Sequence, residues 1–86
     1  MIVYQKTKSE FLSLADEFDL GDAIHDHYQA ATGKRASQTE IRSWRASLEM
    51  MAKVMRDPLI PREAGVGIEF HVPQYLKRID FLISGY

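Results

Sequence analysis

The hydrophobic period of this chain changes once, from helical to extended, and that change limits the folds open to it. Up to residue 55 the apolar residues recur three and four apart, whereas from residue 68 they alternate with polar ones. A chain of 86 residues has room for one core, so both patterns must bury against each other. We expect a single α+β domain over 1–86: a short N-terminal strand, three helices, and a C-terminal antiparallel β-hairpin packed on the long third helix.

The boundaries follow from local chemistry. Ile2-Val3-Tyr4-Gln5 is β-branched and aromatic, which suits a strand. Thr7-Lys8-Ser9-Glu10 reads as a capping box, in which the threonine oxygen and the glutamate carboxylate satisfy the first free amides of a helix running to about Phe18. Asp19-Leu20-Gly21-Asp22 interrupts, and a second helical pattern follows at Ala23, Ile24, His27, Tyr28 and Ala31, with Gly33 as its left-handed stop. Ser37-Gln38-Thr39-Glu40 is a second capping box and opens the longest helix, whose face is Ile41, Trp44, Leu48, Met51, Ala52 and Met55. At that spacing Trp44 and the methionines are core. Asp57-Pro58 ends the helix, and the stretch to Gly67 reads as a loop.

In the hairpin, Ile68, Phe70 and Val72 alternate with Glu69 and His71; after Pro73-Gln74-Tyr75-Leu76, Ile79, Phe81 and Ile83 alternate with Arg78, Asp80 and Leu82. Both apolar sets share one face only if the loop length is even. The four-residue loop pairs residues whose numbers sum to 149, which sets Glu69 opposite Asp80. Facing carboxylates lie about 5 Å apart at Cβ and repel unless something positive intervenes. A divalent cation is one answer, and an all-oxygen donor set suits magnesium or manganese. Arginine is the other: a register slipped by two residues brings Glu69 to Arg78, or His71 to Asp80, as cross-strand salt bridges.

Composition narrows the chemistry. There is no cysteine, so disulfides, thiolate metal sites and cysteine nucleophiles are excluded, which fits a cytoplasmic setting. No apolar run approaches the roughly 20 residues of a membrane span, so no membrane partner is expected. Lysine and arginine number 11 against 12 acids, yet they are segregated. Residues 9–33 carry Glu10, Asp16, Glu17, Asp19, Asp22 and Asp26 with no base, while Lys34, Arg35, Arg42, Arg45, Lys53 and Arg56 follow with only Glu40 and Glu49 among them. The basic half can meet phosphate; alternatively Arg45, Glu49 and Lys53, four apart, pair along a solvated helix face.

Gly67-Ile68-Glu69-Phe70-His71-Val72-Pro73 followed by Lys77-Arg78-Ile79-Asp80-Phe81-Leu82-Ile83 resembles the first two core strands of PD-(D/E)xK nucleases. More closely, Met1-Ile2-Val3-Tyr4-Gln5, Glu40-Ile41-Arg42-Ser43-Trp44-Arg45 and Lys77-Arg78-Ile79-Asp80-Phe81 are similar to the N-terminus of bacterial Schlafen-group-3-like DNA/RNA helicases, over nearly the whole chain. The resemblance implies a partial restriction-endonuclease-like core, with Asp80 as the metal-binding aspartate and Glu69 on the strand before it. An acid on the preceding helix assists in that superfamily, which points to Glu40, with Glu49 the other candidate. It further implies magnesium or manganese as cofactor and nucleic acid as partner in a longer multidomain protein, with Arg42, Arg45 or Arg78 near phosphate. The family's Glu-x-Lys motif and a P-loop are both missing from this sequence. The expectation is therefore the opening segment of a nuclease-like, ATP-dependent helicase, holding half a nuclease site. Such a segment is inactive alone, binds no cofactor tightly and lacks its C-terminal partner domains. The other reading is a non-catalytic adaptor or dimerisation module.

His25 and His27 lie about 200° apart around a helix and cannot share a ligand sphere. His27 falls on the apolar stripe and is expected to be partly buried; His25 falls outside it. Asp22, His25 and Asp26 offer a weak metal triad, and no serine sits in a nucleophile elbow. A hairpin with an unpaired edge and an uncovered face leads us to expect a homo-oligomer, an expectation that weakens if Ile2 to Gln5 already cover that edge.

Overall fold

The computed structural model describes residues 2–71 and 78–84, with the backbone alone at 71 and 78. The elements are β1 (Ile2–Thr7), α1 (Lys8–Glu17), α2 (Leu20–Thr32), α3 (Gln38–Met55), β2 (Gly65–His71) and β3 (Arg78–Ser84). This is the expected α+β arrangement of one strand, three helices and an antiparallel hairpin. The predicted turn Pro73-Gln74-Tyr75-Leu76 lies outside the described residues.

Both capping boxes form. Glu10 N donates to Thr7 Oγ1 at 3.2 Å while Thr7 N donates to Glu10 Oε1 at 3.2 Å. Glu40 N donates to Ser37 Oγ at 3.1 Å and Ser37 N to Glu40 Oε1 at 3.0 Å. Gly33 closes α2 in the left-handed region at φ 73°, its N–H reaching the Gln29 carbonyl at 2.8 Å. One boundary differs from expectation. Asp19 is the N-cap of α2, accepting from Asp22 N at 3.0 Å, so the helix starts at Leu20 and the interruption shrinks to residues 18 and 19.

The sheet has the order β1-β2-β3, with both pairings antiparallel. β1 lies along the side of β2 that the hairpin alone would leave open, so the expected bare edge at β2 is covered. β2 also starts three residues earlier than its apolar alternation, because Thr7 pairs with Gly65 and Gln5 with Gly67. The register slips by one residue between Ile2 and Tyr4. Val3 is the extra residue of that bulge, which lets Val3 and Tyr4, neighbours in sequence, both bury.

Helices cover one face of the sheet. Val66, Ile68 and Phe70 of β2 point into a core shared with Leu20, Ile24 and Tyr28 of α2 and Trp44, Leu48 and Met55 of α3. Tyr28 lies 4.5 Å from Phe70 and 5.4 Å from Trp44 between ring centroids, so one aromatic cluster joins α2, α3 and β2. Burial of each such side chain is worth about 1.5–3 kcal/mol. Lys8 is 6% exposed, and its Nζ donates to the carbonyls of Asp57 at 2.8 Å and Ile60 at 2.6 Å. The first amides of α1 use the same loop, Lys8 N reaching Ala64 O and Ser9 N reaching Arg62 O. Among the described residues no helix is long and apolar enough to cross a membrane.

Candidate functional site

The hairpin pairs residues summing to 149 throughout, from Gly65 with Ser84 to His71 with Arg78, so Glu69 lies directly opposite Asp80. Glu69 sits between Ile68 and Phe70, which are buried under the helices. By the pleat, its side chain leaves the other face of the sheet. Asp80, between the inward-packed Ile79 and Phe81, does the same. Both acids are partly exposed, and each already has an interaction within the fold. The same face continues past Gly67 and Gly65 into a shallow hollow of about 140 Å³ walled by Ile2, Gln5, Leu82 and Ser84.

The helical acids do not join this pair. Glu40 closes the α3 capping box, and α3 packs on the opposite face of β2 through Trp44 and Phe70. Glu49 is exposed on the same helical side, beside Lys53 and Arg56. No group of three acids, histidines or cysteines placed to hold a metal occurs among the described residues. Two carboxylates nonetheless suit magnesium or manganese, which retain waters and take further oxygens from substrate phosphate.

The arginines differ in availability. Arg42 is exposed on α3. Arg45 is held by α2: its Nε lies 2.9 Å from Asp19 Oδ2 and 3.0 Å from Asp19 Oδ1, and its Nη2 lies 3.5 Å from Asp22 Oδ1. Arg56 likewise pairs with Asp16 at 2.6 Å. Arg45 and Arg56 of the basic half thus meet Asp19, Asp22 and Asp16 of the acidic half across the helical layer, and Glu49 acts on Arg45 more weakly along α3. The Asp22 amide, helped by Arg45, holds the Asp19 carboxyl below the usual aspartate range. The hydrogen bond that Arg45 donates to Asp19 in turn raises the Arg45 guanidinium. Arg78 stands in β3 opposite His71, and its side chain is outside the description.

The two histidines exchange the expected roles. His25 is buried, and its Nε2 accepts from Ala36 N at 3.1 Å, while His27 is exposed with its ring edge-on to Tyr4 at 5.1 Å. With Leu20 as the true start, the α2 stripe runs 20, 24, 28 and carries His25 on its flank. His25 is buried whereas Asp22 and Asp26 are exposed, and among the described residues that triad does not assemble. Sequence reasoning missed Lys8 altogether; a lysine in the second position of a capping box gives no signal that it will be buried. Comparison of the chain with protein-family models, curated proteins and solved structures returned no match.

Proposed function

We propose that this domain is the opening part of a nuclease-like, nucleic-acid-processing protein in which Glu69 and Asp80 seat a magnesium or manganese ion. The observation that supports the reading is their direct cross-strand pairing on the sheet face turned away from the helices. Such an ion activates water and stabilises the leaving oxygen in phosphodiester cleavage. In this chain the two carboxylates would hold it; Arg42, exposed on α3, is in no ion pair among the described residues but stands on the helical side of the sheet, away from the pair. With neither a Glu-x-Lys motif nor a P-loop, the 86-residue chain is expected to cleave nothing by itself. Manganese calorimetry should show one weak site in the wild type and none in Asp80→Asn. Absence of heat in both, or DNA or RNA cleavage that Asp80→Ala abolishes, would refute one half of the proposal each.

A second reading, a non-catalytic dimerisation module, draws on β3. Among the described residues this strand pairs with β2 alone, and Leu82 and Ile83 are both exposed on it. Long exposed apolar edges recruit further strands. Light scattering should then show concentration-dependent dimers that Ile83→Lys removes; a strict monomer at high concentration counts against it.

A further inference from the structure

Four phenylalanines occur in the chain, and three of them lie in or against the core. Phe18, at the end of α1, is 61% exposed. It borders three open depressions, one of which, toward α3, also carries Lys53 and Arg56; the other two lie on the acidic side. Of these two, one, of about 310 Å³, has Leu14 and Ala23 in its floor and Asp19, Asp22 and Asp26 on its rim. The other, of about 230 Å³, runs over Tyr4 and Leu14 between Glu10 and Glu17. Both are lined by Leu14, Phe18 and His27, so they form one trough across α1, α2 and β1.

The rim is predominantly acidic, with Asp19, Asp22, Asp26, Glu10 and Glu17 against Lys6. Residues 9–33 include no lysine or arginine, and Lys6 is the only lysine or arginine among the trough's lining residues. Arg45 answers Asp19 and Asp22 from α3, which leaves Glu17 and Asp26 exposed without an ion-pair partner among the described residues. A phosphate backbone or an anionic bilayer is repelled by such a rim, whereas a cationic peptide is steered to it. Apolar floors with an aromatic side chain at the centre are where the binding energy of helix-in-groove contacts concentrates.

We propose that the Leu14–Phe18–His27 trough docks a cationic amphipathic helix of a partner protein. The helix lays its apolar side on Phe18 and Leu14 and turns its lysines or arginines toward Glu17 and Asp26. This site is on the helical side of the sheet and is independent of the Glu69–Asp80 pair.

The test titrates the isotope-labelled chain with an amphipathic leucine–lysine helical peptide and with its leucine–glutamate counterpart, followed by amide shifts. The lysine peptide should move the amides around Leu14, Phe18 and His27, and the glutamate peptide should bind at least about tenfold more weakly. Phe18→Ser, and separately Glu17→Lys with Asp26→Lys, should each weaken the lysine peptide by about fivefold or more. Asp80→Asn should leave it unchanged, which separates this outcome from any result on the metal. Equal binding of the two peptides, shifts centred on the Gly65–Gly67 hollow, or full affinity in Phe18→Ser would overturn the proposal. Because Phe18 and both rim acids are exposed, these variants keep the core intact.

Discussion

The Lys8 ammonium donates to the Ile60 carbonyl at 2.6 Å, with the Asp57 carbonyl second at 2.8 Å, and so ties the first turn of α1 to the loop that delivers β2. Replacing Lys8 by methionine keeps the buried stem and strips the Ile60 carbonyl of its Lys8 donor, while the Asp57 carbonyl keeps the Ile60 amide at 3.0 Å. Unsatisfied buried groups cost about 1–3 kcal/mol, so Lys8→Met should lower stability by that amount in urea unfolding. A variant as stable as the wild type would show that the loop is held by the backbone bonds to Ala64 and Arg62 alone.

His25 and His27 should respond oppositely to mutation. His25→Leu leaves the Ala36 amide without its acceptor and should cost about 1–3 kcal/mol. His27→Ala removes an exposed ring stacked edge-on to Tyr4 and should cost under about 1 kcal/mol. Thermal melts of the two variants compare them directly; equal losses would contradict the buried acceptor role.

The acid limb of stability is carried by depressed carboxyls. The Thr7 amide lowers Glu10, and the Asp22 amide with Arg45 lowers Asp19. A carboxyl whose folded pKa lies below its unfolded value stabilises the fold above the unfolded pKa, and that contribution disappears as pH falls through the folded one. The melting temperature should therefore drop below the ordinary carboxylate range. Asp19→Asn, which still caps α2, should flatten the drop. At the alkaline end burial, with Glu10 nearby, pushes the Tyr4 phenol up to about 12. Neutral Tyr4 thus favours the fold up to the ordinary tyrosine range, and that contribution is lost as pH rises toward 12. Ultraviolet titration of the wild type and of Tyr4→Phe should differ by a late-ionising phase that belongs to Tyr4.

The two glycines of β2 should not be equivalent. A Cβ at Gly65 collides with Ser84 Oγ, whereas one at Gly67 meets only Leu82 at 3.6 Å, an ordinary contact. Gly67→Val should be neutral or stabilising by up to about 1 kcal/mol, since valine suits a strand better than glycine. Gly65→Val should destabilise, with partial recovery in Gly65→Val/Ser84→Gly. The order of the melts checks this.

What the sequence disclosed is what local rules decide. The caps at Thr7, Ser37 and Gly33 are set within one helical turn. A period of two fixes only the parity of the hairpin loop; a four-residue loop sets Glu69 against Asp80, and the observed pairing decides against a slip by two residues. Contacts between distant segments left weaker marks. The pairing of β1 with β2 runs through Gly65 and Gly67, which read as loop residues because they carry no side chain to alternate. The orientation of α2 was misjudged because Leu20 was given to a turn; stripes through 24, 27 and 31 or through 20, 24 and 28 differ by a fraction of a turn. Only the packing partner Phe70 decides between them. Arg45 could not be assigned from α3 alone, since its carboxylates lie on α2. Glu40 looked available to a metal in one dimension and lies across the sheet in three.

The most direct check on the central reading is manganese-induced broadening of amide resonances in the 86-residue chain. The ion should broaden the amides around Glu69 and Asp80 first, at substoichiometric concentration, and Asp80→Asn should abolish the effect. Broadening that begins at Asp22 and Asp26, or that persists in Asp80→Asn, would show that the facing carboxylates are a structural pair and not a metal seat.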